Sequence, residues 1–328
     1  MADYGHEKTD VMLAKLERKI KREYRIAYNE LQAKLDAYFE QFARLDKQKR
    51  EKLAAGKITE AEYLEWRKNK MLTGKRWEEM RDTIAYDMTR TNEIAAGLIA
   101  NSNIDVYALN ANYALYELEM GMHGGLSLTL YNHKTVEKMF KEGGFFIPKV
   151  DIPKDMLWNS RKITSAMMQG LMQGDRIETI AGRLASVTDM SASAAIRNAR
   201  TYTTSAENGG RQDRYEEVEA MGVKIQKEWL ATMDNRTRHA HRQLDGQRRN
   251  VDEPFEVDGE KIMYPADPTA AGYLIYNCRC TMISKVIHFE EKTKKYDLPN
   301  MTYEEWKEAR PVYKKKNEKK NNTRNSNK

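Results

Sequence analysis

Apolar and aromatic side chains recur along the first fifty residues at Leu13, Leu16, Ile20, Tyr24, Ala27, Leu31, Leu35, Tyr38, Phe42 and Leu45. Every gap is three or four residues, the repeat of one helical face, so the pattern predicts a single long amphipathic helix. Ala54-Ala55-Gly56 is its stop, because glycine accepts the left-handed conformation that closes a helix. Thr59 and Glu62 then have the spacing of a capping box, opening a shorter helix that carries Tyr63, Leu64 and Trp66. A third helix starts near Lys75, with Trp77, Met80, Ile84, Met88 and Ile94 on its buried side. A helix of about 45 residues is roughly 65 Å long, more than an ordinary core covers. Its seam has two possible covers: the chain's own later helices, or a partner chain or identical copies in an assembly. The cluster Lys15, Arg18, Lys19, Lys21, Arg22 and Arg25 is offset by Glu17 and Glu23 and reads as a solvated face rather than a phosphate track.

Between Asn101 and Pro153 the regular pattern weakens. Gly121, Gly124 and Gly125 interrupt it, and the alternation from Ser127 to Tyr131 suggests a short strand. Helical signals return around Asp155, and Asp175 with Glu178 has capping-box spacing. From Met190 to Met221 the chain is again helix-like; Ala192, Ala194, Ala195 and Ala199 permit close packing, and Arg200, Glu207, Arg211 and Arg214 are candidates for buried or bridging charge. After Gly222, the positions of Val223, Ile225 and Trp229 fit a strand with Lys224, Gln226 and Glu228 on its wet face. Asp234 then suits a helix N-cap and Gly246 the C-terminal stop. Thr302 and Glu305 frame a final short helix around Trp306.

The fold class expected is α+β, mostly α-helical, with long N-terminal helices and a small C-terminal α+β domain. The expected divisions are an α-helical region at 1–162, a helical linker at 163–222, the α+β domain at 223–292, a short helix at 293–310 and a basic tail at 311–328.

The formal charge of +7 suggests a nucleic-acid partner until it is located. Residues 311–328 hold six Lys, one Arg and one Glu, a net of +6, which leaves +1 for the remainder. Any non-specific phosphate contact therefore falls to Lys314, Lys315, Lys316, Lys319, Lys320 and Arg324, and a disordered solubilising tail explains the same lysines. Two cysteines two residues apart are no disulfide framework and point to a reducing compartment. No signal peptide is expected, and the longest apolar runs, such as that at 94–100, fall short of a membrane span.

The distinctive chemistry lies between Trp229 and Cys280. On a helix from Asp234 to Asp245, Asp234, Arg238, His241 and Asp245 form one polar stripe. Beside Trp229 and Cys278-Arg279-Cys280, that stripe reads as a buried polar network that makes the domain a rigid scaffold rather than a reaction cleft. His241, Cys278 and Cys280 could hold a structural zinc. His239 faces about 160° from His241 on a helix and would not join them. The bland alternative is a pair of reduced thiols with Arg279 bonded to Asp234 or Asp245; a Cys278–Cys280 disulfide is disfavoured. His6, His123, His133 and His288 are isolated and read as surface or packing histidines. A cysteine nucleophile with His241 as base, or an RNase-like site of Arg238, His239 and His241, is imaginable, but the chain has no nucleophile elbow, phosphate loop, metalloprotease helix or deaminase signature.

The series Trp229, Asp234, Arg236-Thr237-Arg238, His241, Leu244-Asp245-Gly246, Glu253-Pro254-Phe255, Pro265-Ala266-Asp267-Pro268 and Asn277-Cys278-Arg279-Cys280 closely resembles the phage Mu protein F-like family of minor head proteins. The resemblance is specific from about Ile163 to Ile287, with Ala199-Arg200-Thr201 also like the family, and only architectural over 1–162. It implies a non-enzymatic component of the virion head, assembled in the host bacterial cytoplasm beside the portal protein and other capsid proteins, important for head assembly or for phage DNA during packaging or ejection. Some relatives carry a toxin domain after the Cys-Arg-Cys motif; the 48 residues beyond Cys280 leave no expectation of one here. A nuclease or transferase carried in the virion is the alternative.

Overall fold

The computed structural model describes residues 3–143 and 148–311. Helices α1 (Tyr4–Ala54), α2 (Glu60–Met71) and α3 (Lys75–Met122) lead to strand β1 (Gly124–Gly125), and helices α4 (His133–Gly143), α5 (Ile152–Met172) and α6 (Ile177–Glu219) follow. The remainder alternates short elements: β2 (Lys224–Leu230), α7 (His239–Leu244), β3 (Arg248–Asn250), β4 (Phe255–Val257), β5 (Glu260–Ile262), α8 (Gly272–Ile275), β6 (Thr281–His288), β7 (Tyr296–Asp297) and a last helix, α9, at 303–311. The protein is thus mostly α-helical with a small α+β portion. Among the described residues, no helix is long and apolar enough to cross a membrane.

Two compact units emerge among the described residues, each assembled from separated stretches: the first from 3–15, 99–143 and 197–311, the second from 16–98 and 148–196. In the second unit, Leu31, Leu35, Tyr38 and Phe39 of α1 pack with Met71, Trp77, Ile84 and Met88 and with Ile163, Met167, Ile180 and Leu184 from α5 and α6. The chain's own helices therefore cover this part of the α1 seam. The seam ends earlier than the periodicity suggests, because Leu45 is exposed while Asp46 is buried. Asp46 accepts hydrogen bonds from Tyr63 (2.8 Å) and Arg50 (2.9 Å) and lies 3.2 Å from fully buried Arg67. Ile94, expected inside, is exposed as well. The Thr59–Glu62 capping box is formed, and Gly56 adopts φ +65° after α1. The box expected at Asp175 and Glu178 cannot be followed, since the Glu178 side chain lies outside the described residues.

The first unit corrects the reading of 101–153. Helix α3 continues through Met122 without a break. Its second half is buried almost all round, including Asn103, Asn110 and Glu119, and a helix wrapped on every side shows no one-sided stripe. No strand forms at 127–131. Helix side chains occupy this segment's backbone groups instead: Asn112 Oδ1 accepts from Tyr131 N–H (2.8 Å), Asn112 Nδ2 donates to Tyr131 O (2.9 Å) and Arg214 donates to Thr129 O (3.2 Å). Strand β1 arises just upstream and pairs antiparallel with β7. Close approach of α3 and α6 requires Gly210, where a Cβ would sit 2.6 Å from Tyr107 O.

The sheet beneath the site is three antiparallel strands in the order β3-β2-β6, with Trp229 opposite Met282 and Leu230 opposite Thr281. One face feeds a core of Tyr113, Leu118, Met122, Tyr215, Ile225, Met282 and Trp306. Farther along the strands a smaller core takes over, built on Trp229, Leu244, Phe255, Ile262, Leu274, Cys278 and Cys280. Trp229 is fully buried and edge-on to Phe255 (5.3 Å) and His241 (6.0 Å between ring centroids).

Candidate functional site

The end of β2 and the start of β6 converge on the Cys278-Arg279-Cys280 turn, and α6 clamps that turn from behind. Thr204 Oγ1 donates to Cys278 O (2.7 Å) and Asn208 Nδ2 to Cys280 O (3.2 Å), while Asn208 Oδ1 accepts from Met282 N–H (3.0 Å). One position before the turn, Asn277 holds φ +53° and donates its N–H to Thr201 Oγ1 (3.0 Å). One turn farther along α6, Arg211 donates to Met282 O (2.9 Å) and pairs with Asp3 (2.5 Å). Thr201, Thr204, Asn208 and Arg211 share a helix face at intervals of three and four, and only Thr201 and Arg211 had been singled out from the sequence. That polar face, inside a stretch rich in small apolar residues, was the available signal.

The predicted stripe on a helix over 234–245 is not what forms. Helix α7 spans six residues with Arg238 as its N-cap, and 234–238 is a turn. Asp234 is committed elsewhere: Oδ1 accepts from Arg236 N–H (2.8 Å), and the carboxylate takes both Arg279 guanidinium nitrogens (2.7 and 2.8 Å). Hydrogen bonding from Arg279 holds Asp234 well below the ordinary carboxylate range. Arg236 reaches the same carboxylate at 3.6 Å with most of its side chain in solvent. Arg238 donates to Tyr276 O, Asp245 Oδ1 accepts from Ala231 N–H (2.8 Å), and Gly246 closes the turn at φ +73° with its N–H on Trp229 O (2.9 Å). A bidentate fork between Arg and a carboxylate is the strongest of these contacts, and the charges expected in one network tie four different segments together.

His241 is buried at 3% exposure on α7, and His239 is exposed. His241 Nε2 lies 3.0 Å from Leu274 O, which requires the proton on Nε2 and leaves the Nδ1 lone pair free. Nδ1 faces both sulfurs, at 3.3 Å from Cys280 Sγ and 3.7 Å from Cys278 Sγ. The three donor atoms lie within 4.8 Å of one another, both cysteines are free and buried, and Cys280 N–H donates to Cys278 Sγ (3.4 Å). Burial pushes the Cys278 thiol up, whereas Cys280, accepting a hydrogen bond from Cys278, is drawn down.

The network is not sealed. A cavity of about 190 Å³ is walled by Arg200, Thr232, Arg236, Thr237, Arg238, His241, Asn277, Arg279 and Cys280. Packing was expected to close this space. It remains open because Arg238 and Arg279 are drawn sideways onto Tyr276 O and Asp234.

Sequence reasoning also missed Lys227, which lies between Ile225 and Trp229 on the strand face expected to be apolar. Its side chain is fully buried and donates to Val251 O (2.8 Å), Met263 O (2.9 Å) and Gln212 Oε1 (3.2 Å). His6, read as isolated, lies 2.8 Å from buried Glu207. The basic residues Lys314, Lys315, Lys316, Lys319, Lys320 and Arg324 fall outside the described residues.

Residues 161–283 match the family described as phage Mu protein F like protein, close to the limits of 163 and 287 expected from the motifs. The chain is 26% identical over 284 residues to minor head protein GP7 of Bacillus phage SPP1, covering 84% of this chain and 83% of that protein. It is 30% identical over 199 residues to the NAD(+)–arginine ADP-ribosyltransferase EFV of Enterococcus faecalis, covering 58% of this chain. The chain spans only 40% of EFV's length. No solved structure matches it.

Proposed function

From the premise that residues 161–283 belong to the phage Mu protein F-like family, we propose that this protein is a minor head protein of a tailed bacteriophage. It is built into the procapsid during assembly in the host cytoplasm and stays in the virion head. The observation that carries this reading is the match to SPP1 GP7, which runs through most of both chains rather than one shared module. The site geometry supports it: Asp234, Arg238, Asp245 and Arg279 are engaged with the fold itself, as a scaffold requires. Contact with the portal protein is the finer part of the proposal, and so is non-specific contact with packaged DNA through the basic residues at 314–324, which would weaken steeply with salt. The test is immunodetection in purified procapsids and virions, with co-purification on tagged portal protein. Absence from both particles would refute a head role; presence in particles without retention on the portal would refute only the portal contact.

A second reading, an enzyme acting on nucleic acids or nucleotides within the virion, draws on the EFV match and on the arginine-walled cavity. It predicts turnover that His241→Ala abolishes; a wild-type chain inert towards nucleic acids and nucleotide cofactors removes it.

A further inference from the structure

The geometry points to a zinc site formed by His241 Nδ1, Cys278 Sγ and Cys280 Sγ, with a solvent molecule from the adjoining cavity as fourth ligand. Zinc bonds thiolate sulfur at about 2.3 Å and imidazole nitrogen at about 2.0–2.1 Å, so a tetrahedral ion separates bound S from bound N by roughly 3.5–3.6 Å. The two S–N separations here, 3.3 and 3.7 Å, bracket that value. Two neutral thiols packed beside an imidazole have no reason to place both sulfurs around the same ring nitrogen, because one lone pair accepts one S–H.

The surroundings match what a metal-bound imidazole and its thiolates need. Ligating histidines donate their other ring N–H to a carbonyl or carboxylate, which fixes the tautomer and ring plane. His241 Nε2 on Leu274 O does this. The Cys280 N–H on Cys278 Sγ stabilises charge on that sulfur. The backbone carrying both cysteines is clamped by Thr204 and Asn208, so both thiols are oriented before any ion arrives. Arg279, between them, points away to Asp234. The cavity wall includes His241 and Cys280, which gives a solvent ligand access to the ion. The ion would join α7 to the turn that leads into β6. It displaces protons from both thiols to solvent and involves no redox change.

The experiment uses the full chain, purified without chelator, with metal measured by elemental analysis. Wild type is expected to carry about one equivalent of zinc, and His241→Ala, Cys278→Ser and Cys280→Ser under about a tenth. His239→Ala, two residues from the ligand, is expected to keep its zinc; loss equal to that of His241→Ala would overturn the assignment. A second measurement, independent of whether the ligand variants fold, uses wild type alone. Cobalt(II) exchanged into the protein is expected to give the thiolate charge-transfer band and the intense ligand-field absorption of four-coordinate cobalt. Wild type with far less than one equivalent of zinc and no thiolate–cobalt band overturns the proposal, whatever the fate of the head-protein reading.

Discussion

Replacing Glu119 with Gln tests whether the last helix is held by a charge rather than by apolar packing. The Glu119 carboxylate is fully buried and accepts from Arg310 Nη2 (2.9 Å) and Nε (3.1 Å), Trp306 Nε1 (2.8 Å) and Leu126 N–H (2.8 Å). It thereby ties α3 to α9 and to the segment leaving β1. Arg310 is itself only 4% exposed, so Glu119→Gln preserves the shape while stranding a guanidinium in the core. Removing one partner of a buried pair costs about 3–5 kcal/mol, most of it the uncompensated charge. The amide still serves Trp306 or Leu126, which puts the expected loss near the lower bound, about 3 kcal/mol. Adding Arg310→Met to Glu119→Gln should return about 2 kcal/mol or more, because the stranded charge goes. Urea unfolding of the full chain gives the totals, and hydrogen exchange over 116–126 and 303–311 localises them, as two units need not unfold together. A loss below about 1 kcal/mol, or a double variant no better than the single one, would refute the reasoning.

Two further predictions concern pH. Burial alone would lower the His6 imidazole, but the Glu207 carboxylate beside it raises it to about 9 from an ordinary 6.5. The folded chain therefore holds the extra proton, and the stability this pair adds is complete below about pH 6.5 and fades as pH rises towards 9. The advantage of wild type over His6→Gln should shrink across that window by a few kcal/mol at most; a pH-independent difference would sink the assignment. Lys227 is the converse: burial lowers its ammonium to about 8 from 10.5, against the pull of Glu216, Asp252 and Asp267. Here the unfolded chain holds more protons between about pH 8 and 10.5, so wild type gains stability with rising pH. Stability curves of Lys227→Met and wild type should diverge in favour of wild type over this interval, and parallel curves would show that Lys227 keeps its ordinary affinity for a proton.

Periodicity revealed α1, α2 and the start of α3, because each has a wet face and a dry one. It missed the second half of α3, where Asn103, Asn110 and Glu119 sit on an all-round buried helix and break the hydrophobic repeat while hydrogen-bonded inside. It also suggested a strand at 127–131, where alternation was present but the backbone partners turned out to be Asn112 and Arg214. In the site, the Cys-Arg-Cys turn, His241 and an Arg279–Asp234 contact were legible, because few residue types can do what they do. The participation of Thr204, Asn208 and Lys227 was not, since a threonine or lysine in one segment carries no mark of the carbonyl it will meet 24 or 74 residues away.

What the amino-acid order determined by itself is local: where helices cap, which faces are apolar, and that the rare side chains cluster near the C-terminal third. Those properties follow from spacing and from intrinsic conformational preference. Only the tertiary structure decided that Asp234 belongs to a turn rather than a helix, that Arg279 leaves a cavity open in front of Cys280, and that one imidazole nitrogen faces two sulfurs. Such outcomes depend on which distant groups compete for the same hydrogen bond or counter-charge, and that competition is settled only when the chain is packed.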